Sequence, residues 1–205
     1  YDTHPVRIAT GLLTLNEYAQ GRARIVVGGG GEALQALGIK PERRVRAVGE
    51  CVEILKGVNP GTPFSFEGQI YQVQNYNPLW AKAPKPPIYV AVNKPQMLRM
   101  AARLGDGVML SDLTPPICKE RIGWVRDHLR EFSRTAGPFR YYNFLAWHVY
   151  ADRERAIREA KMWLGYRGLF RRWVLNTFMT DAEYDVIEAH KAGIYGMVPG
   201  KTWSV

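Results

Sequence analysis

Apolar positions along this chain alternate between two spacings, and the alternation divides it into repeating units. Val6, Ala9, Leu13 and Asn16 recur at helical spacing behind Pro5, a residue suited to a first helical turn, with Asp2 or Thr3 as the expected cap. Gly21 then stops this helix. Ile25-Val26-Val27 is a short continuous apolar run that predicts a buried strand over 24–28. Val45, Val48, Val52 and Leu55 mark one side of a helix over 42–56.

From 57 to 86 the rhythm breaks. Pro60, Gly61 and Pro63 precede Phe64-Ser65-Phe66, then Glu67-Gly68, then Ile70 to Val73, which predicts a small hairpin on an excursion. Such an insertion is expected at the rim formed by the C-terminal strand ends. Regular alternation then returns. Strands are predicted at 88–92, 107–110 and 142–150, and helices at 96–104, around Ile122 to Phe132, and through Ala156, Ala160 and Trp163. Each strand followed by a helix implies parallel strands joined by right-handed crossovers. Four such strands, expected side by side in chain order, do not close a barrel. The chain opens on a helix and ends at Trp203-Ser204-Val205 without an obvious last element, a pattern that reads as the middle of a larger barrel.

Composition limits the function classes. At 205 residues, 46% hydrophobic and 23% charged, one globular domain over 1–205 is expected. The apolar runs are far shorter than a membrane span, so no membrane partner is expected. With no leader pattern and the two cysteines far apart at Cys51 and Cys118, the expectation is a reducing cytoplasm and neither a disulfide nor a metal framework. The four histidines are scattered. The formal charge of +9 suits a phosphorylated or carboxylate-rich ligand. A nucleic-acid module would instead need a basic stripe on one face, and here acids such as Glu120, Asp127 and Glu131 separate Arg121, Arg126, Arg130 and Arg134.

Chemistry concentrates where strand 24–28 ends. Gly28, Gly29, Gly30 and Gly31 lead into Glu32 and then helix formers. Glycines let a backbone lie against a flat or anionic ligand, and a carboxylate beyond the end of a parallel strand is well placed as an acid or base. As a dinucleotide fingerprint the run is weak, because the acids at the right distance, Glu50 and Glu53, fall inside the helix over 42–56. Asn93, Lys94 and Pro95 end the next long strand and begin a helix, a ready anion site. Gly196 to Thr202 is one residue short of a phosphate loop and reads as a turn. His4 is read as a capping or packing residue. The aromatic set Trp163, Tyr166, Phe170, Trp173 and Phe178 is read as core or interface.

Taken in order, several motifs resemble the luciferase-like (β/α)8 flavin and deazaflavin enzymes, most nearly the branch that uses coenzyme F420. They are Tyr1 to Pro5, Gly21 to Leu34, Ala36 to Ile39, Phe66 to Tyr71, Pro87 to Ala91, Ala101 to Val108 and Asp152 to Ala156. The likeness spans about residues 1–165. It implies an α/β fold, a partial TIM barrel comprising strands four to seven with their helices. It also implies an oxidoreductase that passes a hydride between coenzyme F420 and a small organic substrate, as a homodimer when full length. FMN with monooxygenase chemistry is the alternative. By the same resemblance Gly29, Gly30, Gly31 and Glu32 touch the cofactor ring, with Glu32 assisting proton transfer. Asn93, Lys94 and Pro95 hold its phosphate.

Overall fold

The computed structural model describes residues 2–31, 33–135, 137–168, 172–176 and 179–197. The chain divides into two compact units, Tyr1–Phe144 and Leu145–Val205.

In the first unit the order is α1 (Pro5–Tyr18), β1 (Ile25–Val27), α2 (Ala33–Ala36), α3 (Arg44–Gly57), β2 (Phe64–Glu67), β3 (Gln72–Tyr76), β4 (Ile88–Ala91), α4 (Pro95–Leu104), β5 (Gly107–Ser111), α5 (Pro115–Glu131) and β6 (Arg140–Phe144). The four strands expected to be parallel form one sheet in the order β1-β4-β5-β6, every pair parallel. Ile25 stands opposite Ile88, and Val27 opposite Val90.

The two faces of this sheet differ. Val27, Ile88, Val90, Val92, Val108 and Leu110 are all buried, Val90 and Val108 completely. They form the face covered by helices, where Val90 and the last turn of α4 meet so closely that a Cβ on Gly105 would lie 3.0 Å from Cγ2 of Val90. Side chains alternate across a strand, so Val26, Tyr89, Tyr142 and Phe144 point the other way. There Val26, Tyr142 and Phe144 are 37%, 40% and 59% exposed.

The excursion is tied down from three sides. Asn16, 1% exposed, donates through Nδ2 to the Pro84 carbonyl at 2.8 Å and accepts the Ala23 N–H at 3.1 Å. It thereby joins the end of α1 to the entry of β1 and the exit of the excursion. Asp106 accepts from Lys56 at 2.7 Å and from the Ile88 N–H at 2.9 Å, fixing the end of α3 beside the start of β4. Glu50, 3% exposed, accepts the N–H groups of Gln69, Ile70 and Tyr71 at 2.9, 3.0 and 3.1 Å. β2 and β3 pair antiparallel, so the hairpin forms as expected.

Several expectations need correcting. The excursion leaves the C-terminus of α3 and enters the N-terminus of β4, so it departs and returns at the N-terminal end of the sheet. Its hairpin lies outside α1 and α3: the Tyr76 hydroxyl is 2.7 Å from that of Thr10, and Tyr71 packs edge-on to His4 at 5.6 Å. Even so, its turn reaches the N-terminal caps of both helices, His4 through Tyr71 and Arg43 through Gln69 at 3.4 Å, and these caps stand on the C-terminal side of the sheet. The cap of α1 is His4, whose Nδ1 accepts the Val6 N–H at 3.2 Å, not Asp2 or Thr3. The last strand covers 140–144 rather than 142–150, because its neighbour runs out. The Asp112 N–H still reaches the Phe144 carbonyl at 2.7 Å, but Asp112 has φ +56° and turns the partner strand away. Leu145, Trp147 and Val149 follow as exposed residues outside any strand.

The second unit contains α6 (Arg153–Gly168), α7 (Arg172–Leu175) and α8 (Asp181–Met197). Asp152 caps α6, accepting the Glu154 N–H at 2.8 Å. A last element is therefore present, contrary to expectation. Its start is a reciprocal cap, in which the Thr180 N–H donates to Glu183 at 2.7 Å and the Glu183 N–H to the Thr180 hydroxyl at 3.3 Å, the pattern T-x-x-E that opens many helices. Of the aromatic set, Phe170 and Phe178 lie outside the described residues, as do residues 198–202 of the phosphate-loop-like run. Among the described residues no helix is long and apolar enough to cross a membrane.

Glu50→Gln places an amide N–H₂ against backbone donors that need an acceptor. It is expected to lower stability by about 2–4 kcal/mol, since hydrogen bonds to a charged group contribute about 1.5–3 kcal/mol and a buried donor left unmade costs about 1–3 kcal/mol. Urea unfolding measures the loss, and hydrogen exchange should place the lost protection at residues 69–71.

Candidate functional site

The glycine turn and the Asn93-Lys94-Pro95 turn leave the C-terminal ends of β1 and β4, which are neighbours in the sheet. Gly28 abuts Ala91, where an added Cβ would sit 3.4 Å from the Ala91 methyl. Both turns therefore open on the same end of the sheet, where parallel α/β folds place their ligands. Glu32 lies outside the described residues.

The glycines serve different ends. Gly30 has φ +73°, and a Cβ there would lie 2.5 Å from Cδ1 of Leu34, so the fold itself demands glycine. At Gly29 a Cβ would make ordinary contact, 3.6 Å from Arg44 Cδ and from Val48. Gly31 has no neighbour within 4 Å of where its Cβ would be and its φ is not positive. Nothing in the described structure requires glycine at this position. It presents bare backbone to open space, as a turn built for close approach of a flat ligand does.

On the second turn, Pro95 is the first residue of α4 and Lys94 is its cap, with extended φ and ψ and no side-chain capping bond. The first-turn N–H groups of a helix have no partner within the helix and carry its positive end. Lys94 is exposed beside them, adding a full positive charge to the partial ones. Asn93 does something else with its side chain. Its Oδ1 accepts the Ser111 N–H and its Nδ2 donates to the Ser111 carbonyl, both at 3.1 Å. The amide thus imitates one more rung of the ladder between β4 and β5 and holds the two strand ends together. That leaves the backbone, rather than the Asn93 amide oxygen, facing a ligand here.

Further down the same sheet face, the Tyr89 and Tyr142 rings lie 5.0 Å apart with their hydroxyls at 3.5 Å. Burial, and then the hydrogen bond from Tyr142, raise the Tyr89 hydroxyl above the ordinary phenol range. Tyr89 is therefore un-ionised at physiological pH, with Arg24 and Arg140 close enough to act on it. Burial likewise pushes the Cys51 thiol up to about 11, which makes it a core residue and a poor nucleophile. Sequence reasoning did not single out Tyr89, Tyr142 or Ser111. The alternation along β4 and β6 carried the signal for the two tyrosines. Nothing local marked Ser111, because its role depends on register with Asn93. Among the described residues no cluster of His, Cys, Asp and Glu is placed to hold a metal ion.

A family model described as luciferase-like monooxygenase matches residues 1–199. The chain belongs to the luciferase-like family. The 5,10-methylenetetrahydromethanopterin reductase of Archaeoglobus fulgidus is 29% identical over 166 residues, which cover 79% of this chain and 49% of that protein. The F420-dependent glucose-6-phosphate dehydrogenase of Nakamurella multipartita is 29% identical over 168 residues, 78% of this chain and 49% of that protein. Among solved structures, the coenzyme F420 dependent tetrahydromethanopterin reductase from Methanopyrus kandleri superposes with a TM-score of 0.76 at 20% identity, covering 98% of this chain and 65% of that one. The chain spans about half the length of the curated relatives it matches. Its fold is accordingly that of part of a luciferase-like TIM barrel, and the half-open sheet face is the inner wall of that barrel.

Substitution separates the two kinds of glycine. Gly30→Ala forces a side chain into a left-handed conformation and into Leu34, and is expected to cost about 1–3 kcal/mol. Gly31→Ala is expected to change stability by less than about 0.5 kcal/mol, as a surface change away from special features does. Thermal unfolding of the two variants side by side checks the difference.

Proposed function

We propose that the protein is an oxidoreductase that passes a hydride between the deazaflavin coenzyme F420 and a small organic substrate. The observation that carries this reading is the convergence of the Gly29–Gly31 backbone and the α4 N-terminus at the ends of two adjacent parallel strands. The family membership and the F420-dependent relatives support it. The residues fit such a group: bare backbone at Gly31 suits a flat ring, and Lys94 with the first turn of α4 suits an anionic phosphate. When bound, the deazaflavin supplies the hydride chemistry.

The chain's own residues would do the rest. Gly29, Gly30 and Gly31 let the backbone approach the ring, with the left-handed conformation of Gly30 making the turn. Lys94, Pro95 and the helix behind them would hold the phosphate, with Asn93 keeping the β4 end in register for that contact. Glu32 follows the glycines directly and is assigned the proton transfer that accompanies hydride movement. Tyr89 on the inner wall below is un-ionised, so it sets no negative charge against an anionic ligand.

Absorption and fluorescence titrations of the protein with F420 and with FMN test the cofactor directly. F420 is expected to bind and FMN to bind much more weakly. The reverse order would replace this reading with an FMN-dependent monooxygenase.

Lys94→Glu is expected to weaken F420 binding, and more so at low ionic strength, where charges on the surface are least screened. Unchanged affinity at low salt removes Lys94 from the site. Glu32→Gln is expected to keep F420 affinity while turnover falls by about 10²–10⁴-fold, the usual contribution of a positioned acid or base. Near-normal turnover at saturating cofactor would leave Glu32 as only a first-turn helix carboxylate.

A further inference from the structure

We infer that Lys85 is a modification site, at which the chain takes up an acyl group from a small acyl phosphate. Lys85 stands in the run Pro84-Lys85-Pro86-Pro87, where the excursion returns to β4, at the end of the sheet opposite the glycine turn. Its backbone is fixed on both sides. The Pro84 carbonyl accepts from Asn16 at 2.8 Å, the prolines restrict the dihedrals around it, and the Ile88 N–H donates to Asp106 at 2.9 Å. The residue is exposed, and its amine donates to the Lys56 carbonyl.

Two lysines meet here beside one carboxylate. Lys56, in the last turn of α3, donates to Asp106 at 2.7 Å and to the Leu104 carbonyl at 3.0 Å. The other Asp106 oxygen accepts the Ile88 N–H, so both carboxylate oxygens have a donor before Lys85 is counted. The ion pair of Asp106 is with Lys56, and Lys85 turns its amine to a neutral backbone carbonyl instead. Loss of solvent, and then the Lys56 charge, hold the Lys85 amine below the ordinary lysine range, against the weaker pull of Asp106. More of this amine is therefore uncharged near neutral pH, and the uncharged form is the nucleophile. Two cations against one anion leave the cluster net positive, which draws a donor that carries phosphate.

The step balances without a redox partner. The amine lone pair attacks the acyl carbon, a C–N bond forms, and the C–O bond to phosphate breaks. Phosphate leaves with the electron pair, and the displaced amine proton passes to solvent. The amide that results keeps one N–H to donate to the Lys56 carbonyl and removes one of the two facing charges. The fold therefore accommodates the product.

The test incubates the folded protein with acetyl phosphate and follows each lysine by peptide mass spectrometry. Lys82 is the internal comparison, an exposed lysine of the same excursion that stands beside the Glu17 carboxylate. At about pH 7.5 Lys85 is expected to acetylate at least about threefold faster than Lys82, because the uncharged share of an amine rises about tenfold for each unit by which its pKa is lowered. The advantage should shrink towards parity as pH rises through the ordinary lysine value of about 10.4, where all lysines lose their charge. Lys56→Gln removes the neighbouring charge, keeps a side-chain N–H for Asp106 and Leu104, and leaves the Asp106 charge to act on Lys85. In that variant the Lys85 rate is expected to fall at least about threefold while the Lys82 rate holds. The inference is overturned if Lys85 reacts no faster than Lys82 near neutral pH, if their ratio does not change with pH, or if folded Lys56→Gln leaves the Lys85 rate unchanged. The pH comparison uses the parent protein alone, so it decides the matter even where the variant does not fold.

Discussion

The pairing of β1 with β4 is the constraint on which the rest of this structure depends. Val27 and Ile88 sit in adjacent strands although two helices and a hairpin lie between them in the chain. Closing so long a connection costs entropy that grows only slowly with its length, but the connection must still be held in one path. Three polar residues do this. Asn16 joins α1, the entry to β1 and Pro84; Asp106 joins Lys56 to Ile88; Glu50 holds the hairpin turn against α3. Each satisfies backbone groups that have no ladder partner of their own, which is what allows irregular chain to pack against the helices.

Once β1 lies beside β4, the candidate site follows. The glycine turn and the start of α4 meet because their strands end side by side, and Asn93 extends the neighbouring pairing by binding both backbone groups of Ser111. Gly30 turns the chain through a left-handed conformation against Leu34, which only glycine takes freely, while Gly31 is left with open space above it. The site therefore has a rigid base and an accessible upper surface. The same pairing leaves the inner face of the sheet half open, with Val26, Tyr142 and Phe144 at its surface, as a wall of a barrel rather than a closed core.

Most of the architecture was legible in the sequence for a simple reason. Parallel strands buried by helices are short continuous apolar runs, and the helices that cover them carry the 3.6-residue period. Ile88 to Ala91 and Gly107 to Ser111 fall where the runs predict, and so does α4. The misreadings came where a local pattern had no say. Tyr142 to Tyr150 is rich in strand formers, yet the strand stops at Phe144 because Asp112 bends its partner β5 away. The start of α8 is written in the Thr180 and Glu183 spacing, a capping pattern rather than an apolar period.

What the sequence determined by itself is the alternation of strand and helix, the glycine turn, the lysine and proline that open α4, and the family to which these belong. All of these rest on periods, turn residues and charges that act within a few positions of one another. Only the tertiary structure decided that Glu50 is a buried clamp on the hairpin turn, that the excursion packs outside α1 and α3, and that the Asn93 amide is spent on Ser111. It also decided that Lys56 and Lys85 meet beside the single carboxylate of Asp106. Each of those outcomes depends on which distant backbone group lies within hydrogen-bonding or Coulombic reach, and that is set by packing, not by spacing along the chain.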